Sequence, residues 1–153
     1  MMIRILDREN DTLLNKFIAQ MRDVGVQGDS MRFRRNLERT GEVMAYEISK
    51  TLHYSMRTVE TPLGEAEVAL PDDQIVIATI LRAGLLATGA SLALTFQALV
   101  EKAGRPRRTI LAAAIASEEG LEYAKKHFSA QDTSIWCGTV DSELTVKSYI
   151  VPG

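Results

Sequence analysis

Cysteine is almost absent from this sequence: Cys137 is the only one among 153 residues. That excludes a disulfide framework and a CxxC metal site, and Cys137, inside the apolar run 135–140, reads as a buried small hydrophobe. Histidine is nearly as scarce. His53 and His127 stand alone, without metal-ligand spacing and near the ends of helical patterns, where capping or surface roles suit them. Charge of one sign is lacking too. A net charge of −2 and a pI near 5.7 leave no electrostatic footprint for nucleic acid, so the basic cluster Arg105, Arg107 and Arg108 reads as a solvated loop. No apolar stretch approaches bilayer-spanning length and the N-terminus has no signal-like segment, which points to a cytoplasmic protein that makes no membrane contact. Repeats and low-complexity tracts are missing. So are the GxxxxGK[ST] loop and the GxGxxG fingerprint, which leaves a P-loop kinase and a Rossmann dehydrogenase without support.

What is present suits one domain spanning 1–153, since 46% hydrophobic and 25% charged residues are ordinary globular composition. Asp11 or Asn10 is placed to cap a helix carrying Leu13, Leu14, Phe17, Ile18 and Met21, and Gly25 and Gly28 break the chain after it. Ser30 starts a longer helix. Met31, Phe33, Leu37, Val43, Met44, Ile48 and Leu52 trace its apolar side, with Arg32, Arg34, Arg35 and Arg39 on a charged one. That arginine group reads as a solvated face laced with Glu pairs; a subunit contact or effector site is the sharper alternative. These helices fill 10–53. Alternating residues from Tyr54 to Thr61 and from Glu65 to Leu70 then predict a hairpin over 54–70, turning on Pro62 and Gly64.

The remainder, 74–153, reads as an α/β core. Gln74 to Leu81, Arg108 to Ala116 and Ser134 to Val140 are apolar runs suited to strands buried on both faces of a parallel sheet. Ser117 can cap the helix that follows the second of them, with Glu118 and Glu119 in its first turn and Lys125 and Lys126 in its last. The alternation of strands and helices implies a mostly parallel, Rossmann-like sheet flanked by helices, with ligands at the carboxyl ends of the strands. Two glycine turns lie there. In the first, Arg82 ends a strand, and Ala83 and Gly84 let the backbone approach an anion that its guanidinium can hold by two bonds. In the second, Leu86 to Ser91, Gly89 can take a positive φ, Ala87 and Ala90 leave amides uncovered, and Thr88 and Ser91 add hydroxyls before a helix that runs from Ser91 to Ala103. Each is a phosphate cradle without a Walker lysine.

The segments ILRAGL, LATGAS, IASEEGLEYAKKHF and TVDSELTVKSYIVPG, with MRFRRNLERTGEVMAYEISKTL upstream, occur together and in order. In this the chain resembles the uracil phosphoribosyltransferases. The resemblance implies a phosphoribosyltransferase fold and transfer of ribose 5-phosphate from phosphoribosyl pyrophosphate (PRPP) to uracil, giving UMP and pyrophosphate in pyrimidine salvage. By the same resemblance Arg82, Ala83 and Gly84 would contact pyrophosphate. Leu86, Ala87, Thr88, Gly89, Ala90 and Ser91 would hold the 5-phosphate, and Tyr149, Ile150 and Gly153 would meet uracil. Mg²⁺ would arrive mainly on PRPP, GTP is a possible effector, and a homo-oligomer, dimer or tetramer, is expected. A reaction passing through an oxocarbenium-like transition state needs positioning and charge balance rather than a nucleophilic side chain, so the lack of a Ser-His-Asp or Cys-His arrangement does not count against it.

The chain also departs from that family. Between Leu85 and Leu86 the family's hood, flexible loop, second PRPP-contacting arginine and a core strand have no counterpart, nor does the segment that follows YIVPG. Loss of a core strand would leave backbone groups unpaired at about 1–3 kcal/mol each, against a whole stability of about 5–15 kcal/mol. A binding or regulatory module that keeps the cradle without turnover is therefore the alternative function.

Overall fold

The computed structural model describes residues 1–75, 85–86, 88–144 and 150–151. The chain opens with a short strand β1 (Met2–Ile5) and one turn of helix α1 (Leu6–Glu9), followed by α2 (Leu13–Arg22) and α3 (Ser30–Ser49). A hairpin of β2 (Tyr54–Thr61) and β3 (Gly64–Pro71) comes next. The core contains β4 (Leu85–Leu86), α4 (Ala90–Ala103), β5 (Thr109–Ser117), α5 (Glu118–His127) and β6 (Thr133–Asp141), and then the small pair β7 (Glu143–Leu144) and β8 (Ile150–Val151).

The strands β1, β6, β5 and β4 form one parallel sheet in that order. The expected strand at 74–81 lies outside the described residues, apart from Gln74 and Ile75. β1 was not foreseen. Its four residues are too few to display a period, and only pairing with Ser134–Cys137 of β6 makes them a strand. Helices cover both faces of the sheet. On one side Ile135 and Cys137 pack with Leu86, Leu121, Ala124 and Phe128 beneath α4 and α5; on the other Trp136 packs with Leu14, Ile18, Met21 and Met44 beneath α2 and α3. Alternate residues of β6 therefore serve two cores, as burial on both faces requires. Gly138 continues the Trp136 side. A Cβ there would lie 2.5 Å from the Ala114 carbonyl oxygen and 3.1 Å from Ile18 Cδ1, so the close approach of α2 to the sheet needs glycine.

Two sequence expectations are corrected here. The cap of α2 is Thr12, whose hydroxyl accepts from Leu14 N while Asn15 reaches back to Thr12 N at 3.3 Å, rather than Asp11 or Asn10. Along α3, Leu37, Val43, Met44 and Ile48 pack inward as expected, but Met31 and Phe33 are exposed and the polar Asn36 and Thr40 are buried instead. Asn36 donates to Gln20 Oε1 at 3.0 Å across the α2–α3 contact, and that hydrogen bond lets a polar residue occupy the inward stripe. The hairpin matches expectation, with Tyr54 opposite Pro71 and Thr61 opposite Gly64. Its base is tied down by Asp72, which accepts from Ser55 Oγ at 2.7 Å and Arg57 at 3.0 Å, and by Asp73, which accepts from His53 N at 2.8 Å. Arg108, expected to be merely solvated, also donates to Thr51 at 2.9 and 2.7 Å and ties the start of β5 to the end of α3. Among the described residues no helix is long and apolar enough to cross a membrane.

Candidate functional site

Parallel pairing puts the carboxyl ends of β4, β5 and β6 at one edge of the sheet, where Leu86 lies beside Ala116 and Ser117 beside Asp141. Two helices start at that edge, and their N-termini differ. The first turn of α5 is already satisfied: Ser117 Oγ accepts from Gly120 N at 2.9 Å, and Glu118 and Glu119 complement the dipole. The first turn of α4 has neither an acidic residue nor a side-chain cap. Among the described residues no side chain caps its leading amides, which lie at the positive end of the helix dipole. Of the two helix starts, only that of α5 carries a side-chain cap from its N-cap residue.

The turn feeding α4 is closely packed. Gly89 is buried, takes φ 75°, and its carbonyl accepts from Ala93 N at 3.1 Å to begin the helix. A Cβ on Gly89 would stand 3.0 Å from Tyr123 Cδ1 and 3.1 Å from the Gly120 carbonyl oxygen, so the turn rests directly on α5. Ser117 links the two starts, since the hydroxyl that caps α5 also lies 3.5 Å from the Leu86 carbonyl. Thr88 and Ala90 are half-buried and Ser91 is exposed. The structure thus brings Leu86, Thr88, Gly89, Ala90 and Ser91 together. Arg82, Ala83, Gly84, Ala87, Tyr149 and Gly153 lie outside the described residues, and Ile150 is described through its backbone alone.

Ile150 is nevertheless placed at this edge. β7 leaves β6 immediately after Asp141 and pairs antiparallel with β8, Glu143 opposite Val151 and Leu144 opposite Ile150. At the end of β6 the structure adds residues that the sequence alone did not single out. Arg22, the last residue of α2, pairs with the buried Asp141 carboxylate, and Arg8 of α1 donates to the Val140 carbonyl at 3.0 Å. No local motif marks these arginines, because each partner lies more than a hundred positions away in the sequence.

Cys137 lies within β6 and pairs opposite Ala113. It is fully buried, and desolvation, with the nearby Asp7 charge, pushes its thiol up to about 12, so it carries no thiolate at neutral pH. His127 stacks on Tyr123 at a ring separation of 3.8 Å and meets the Tyr123 carbonyl at 2.8 Å, in the terminal role expected of it. His53 faces Asp73 at 3.4 Å, at the hairpin base.

Comparison with known proteins identifies relatives across the whole chain. The model of the uracil phosphoribosyltransferase family matches residues 9–86 and 85–153, two stretches that meet at Leu85–Leu86. A uracil phosphoribosyltransferase of Porphyromonas gingivalis is 38% identical over 195 aligned positions, covering 93% of this chain and 89% of that protein. One from Pyrococcus furiosus is 27% identical, covering 95% and 84%. An alignment of 195 positions against a chain of 153 leaves at least 42 positions with no residue here, in accord with the family segment missing at that junction. Among solved structures, the AQ2163 protein from Aquifex aeolicus superimposes with a TM-score of 0.81 at 22% identity, covering 99% of this chain and 93% of that one. That likeness establishes the fold.

Proposed function

Because the chain belongs to the uracil phosphoribosyltransferase family, a family of glycosyltransferases that make UMP and pyrophosphate from uracil and PRPP in pyrimidine salvage, we propose how its own residues divide that reaction. The 5-phosphate of PRPP sits on the open start of α4, held by the amides that follow Gly89 and by the hydroxyls of Thr88 and Ser91. The observation that carries this assignment is the contrast between the uncapped, acid-free start of α4 and the Ser117-capped, acidic start of α5 at the same sheet edge. Arg82, with Ala83 and Gly84, holds the pyrophosphate, and the stretch Tyr149 to Gly153 presents its backbone to the uracil ring.

In the transfer, a uracil ring nitrogen forms a bond to C1 of the ribose as the bond from C1 to the pyrophosphate oxygen breaks. The ring nitrogen gives up its proton to solvent, and the electron pair of the C1–oxygen bond leaves with pyrophosphate. The ribose carries oxocarbenium character at the crossing point, so the chain's task is to fix the 5-phosphate and the base in line and to hold the anionic leaving group. A cation coordinated chiefly by PRPP oxygens needs at most one or two protein carboxylates, which fits Mg²⁺ delivered on the substrate. Bound there, it would neutralise charge on the pyrophosphate.

We also place the protein in the cytoplasm and propose that it works as a dimer or tetramer, with GTP as a possible effector. Exposed Tyr54, Met56 and Leu63 on the projecting hairpin support self-association. The decisive experiment incubates the full chain with uracil, PRPP and Mg²⁺ and follows UMP and pyrophosphate together. Equal release of both, falling sharply in Arg82→Ala, is expected. Unchanged turnover in that variant would remove Arg82 from the pyrophosphate site, and preference for orotate or a purine would overturn the base assignment.

A further inference from the structure

The start of α4 is held by the neighbouring helix more than by burial of its own side chains. No residue of α4 is buried, and the helix leans on its surroundings through partial contacts such as Phe96 on Phe128, whose ring centroids lie 5.0 Å apart. Gly89, immediately ahead of it, is buried. A Cβ on Gly89 would stand 3.0 and 3.3 Å from Cδ1 and Cβ of Tyr123 and 3.1 Å from the Gly120 carbonyl oxygen, so α5 is what covers the turn. The Leu86 carbonyl, upstream of the same turn, accepts from the Ser117 hydroxyl at 3.5 Å. Leu86 and Gly89 thus both take their positions from the first two turns of α5 and its cap.

Within that seat the Gly120 carbonyl is backbone of a capped turn, whereas Tyr123 contributes a side chain. Its ring is itself braced. It stacks on His127 at a centroid separation of 3.8 Å with 12° between the planes, and His127 Nδ1 meets the Tyr123 carbonyl at 2.8 Å. A braced ring is a stiffer support than an aliphatic chain of similar size, because stacking fixes its plane. We propose that Tyr123 is a positioning residue for the 5-phosphate: its ring, held by His127, sets the height of the Gly89 turn and with it the aim of the amides that open α4. Hydrogen bonds weaken steeply with misalignment, so a turn that sinks by a fraction of an ångström loses affinity while the fold persists. The inference rests on the reading of the α4 start as the 5-phosphate site.

The test compares affinity with stability across a set of variants. Ribose 5-phosphate is titrated by calorimetry into the full chain and into Tyr123→Leu, Tyr123→Phe, His127→Ala and Asn36→Ala, with thermal unfolding recorded for each. Tyr123→Leu should weaken binding roughly tenfold and Tyr123→Phe by no more than about twofold, because the seat is the ring and not the hydroxyl. His127→Ala removes the brace and should weaken binding about threefold. Asn36→Ala breaks the bond to Gln20 on the opposite face of the sheet, and should lower the melting temperature while affinity stays within about twofold of wild type. Equal losses of affinity in Tyr123→Leu and Asn36→Ala, or wild-type affinity in Tyr123→Leu, overturn the proposal and leave the functional reading standing. So does a Tyr123→Phe variant as weak as Tyr123→Leu, which would make the hydroxyl a direct contact. A wild-type chain that does not bind ribose 5-phosphate overturns the reading of the α4 start and the proposal with it. If Tyr123→Leu does not fold, His127→Ala decides, since His127 is exposed and unchanged affinity there overturns the proposal.

Discussion

Gly89→Ala is the sharpest probe of the cradle, because two separate costs meet at one atom. The backbone at Gly89 has φ 75°, where an alanine loses about 1–2 kcal/mol relative to the right-handed region. The added methyl would also stand 3.0 Å from Tyr123 Cδ1 and 3.1 Å from the Gly120 carbonyl oxygen. The tyrosine ring can yield by a few tenths of an ångström. The carbonyl belongs to the first turn of α5, anchored by the Ser117 cap, and can yield only if that turn shifts. Together these place the destabilisation at about 2–3 kcal/mol, and in a domain of this size each kcal/mol lowers the melting temperature by about 2–4 °C. A fall of roughly 4–12 °C is therefore expected by circular dichroism. Ribose 5-phosphate binding should weaken as well, because the amides of α4 move with the turn. A double-mutant cycle with Tyr123→Ala identifies the cause: removing the ring should relieve the contact but leave the dihedral cost, so the two changes should be less than additive. A melting temperature within 1 °C of wild type, with unchanged ribose 5-phosphate affinity, would show that the turn is neither strained by a side chain nor coupled to the ligand.

Three further outcomes follow from the same geometry. Gly138→Ala drives a methyl to 2.5 Å from the Ala114 carbonyl oxygen in the middle of the sheet, and should cost about 3 kcal/mol or prevent recovery of folded protein; a denaturant midpoint equal to wild type would contradict the close approach of β5, β6 and α2. Ser117→Ala removes the α5 cap and should cost about 1 kcal/mol, read as a shift in urea midpoint with unchanged slope; no shift would mean that the Gly120 amide finds another acceptor. Hydrogen bonds from Ser55 and then Arg57 hold Asp72 below the ordinary carboxylate value, and the His53 amide does the same for Asp73. Because both folded values lie below the unfolded one, their stabilisation is complete above the ordinary carboxylate value of 3.8 and is lost as pH falls through the lowered values. Amide exchange in the hairpin should accordingly rise in acid in the wild type and already be raised near neutral pH in the Asp72→Asn, Asp73→Asn double variant. Equal exchange in the two proteins at neutral pH would rule out the clasp.

Much of the architecture was legible because its signals are local. The strands β5 and β6 declare themselves as apolar runs of strand length, Ser117 stands three residues before the amide it caps, and Tyr54 to Leu70 alternates around a Pro-Leu-Gly turn. The turn at Gly89 ahead of α4 was legible for the same reason, since small residues ahead of an apolar helix state a backbone geometry directly. The errors fell where long-range contacts outweigh local pattern. Nothing within four residues tells Met2–Ile5 that it will pair with β6, and only the α2–α3 contact shows that Asn36, bonded to Gln20, faces inward while Phe33 is exposed.

The sequence by itself determined the order of elements, the small-residue turn at Gly89 and, through its ordered segments, the family. Tertiary structure alone decided which of two helix starts remains open to an anion, and it joined Arg22 to Asp141 across the chain. A cap or a glycine turn is written in neighbouring residues. An ion pair between the end of α2 and the end of β6 exists only because a parallel sheet and its covering helices bring distant segments to one edge.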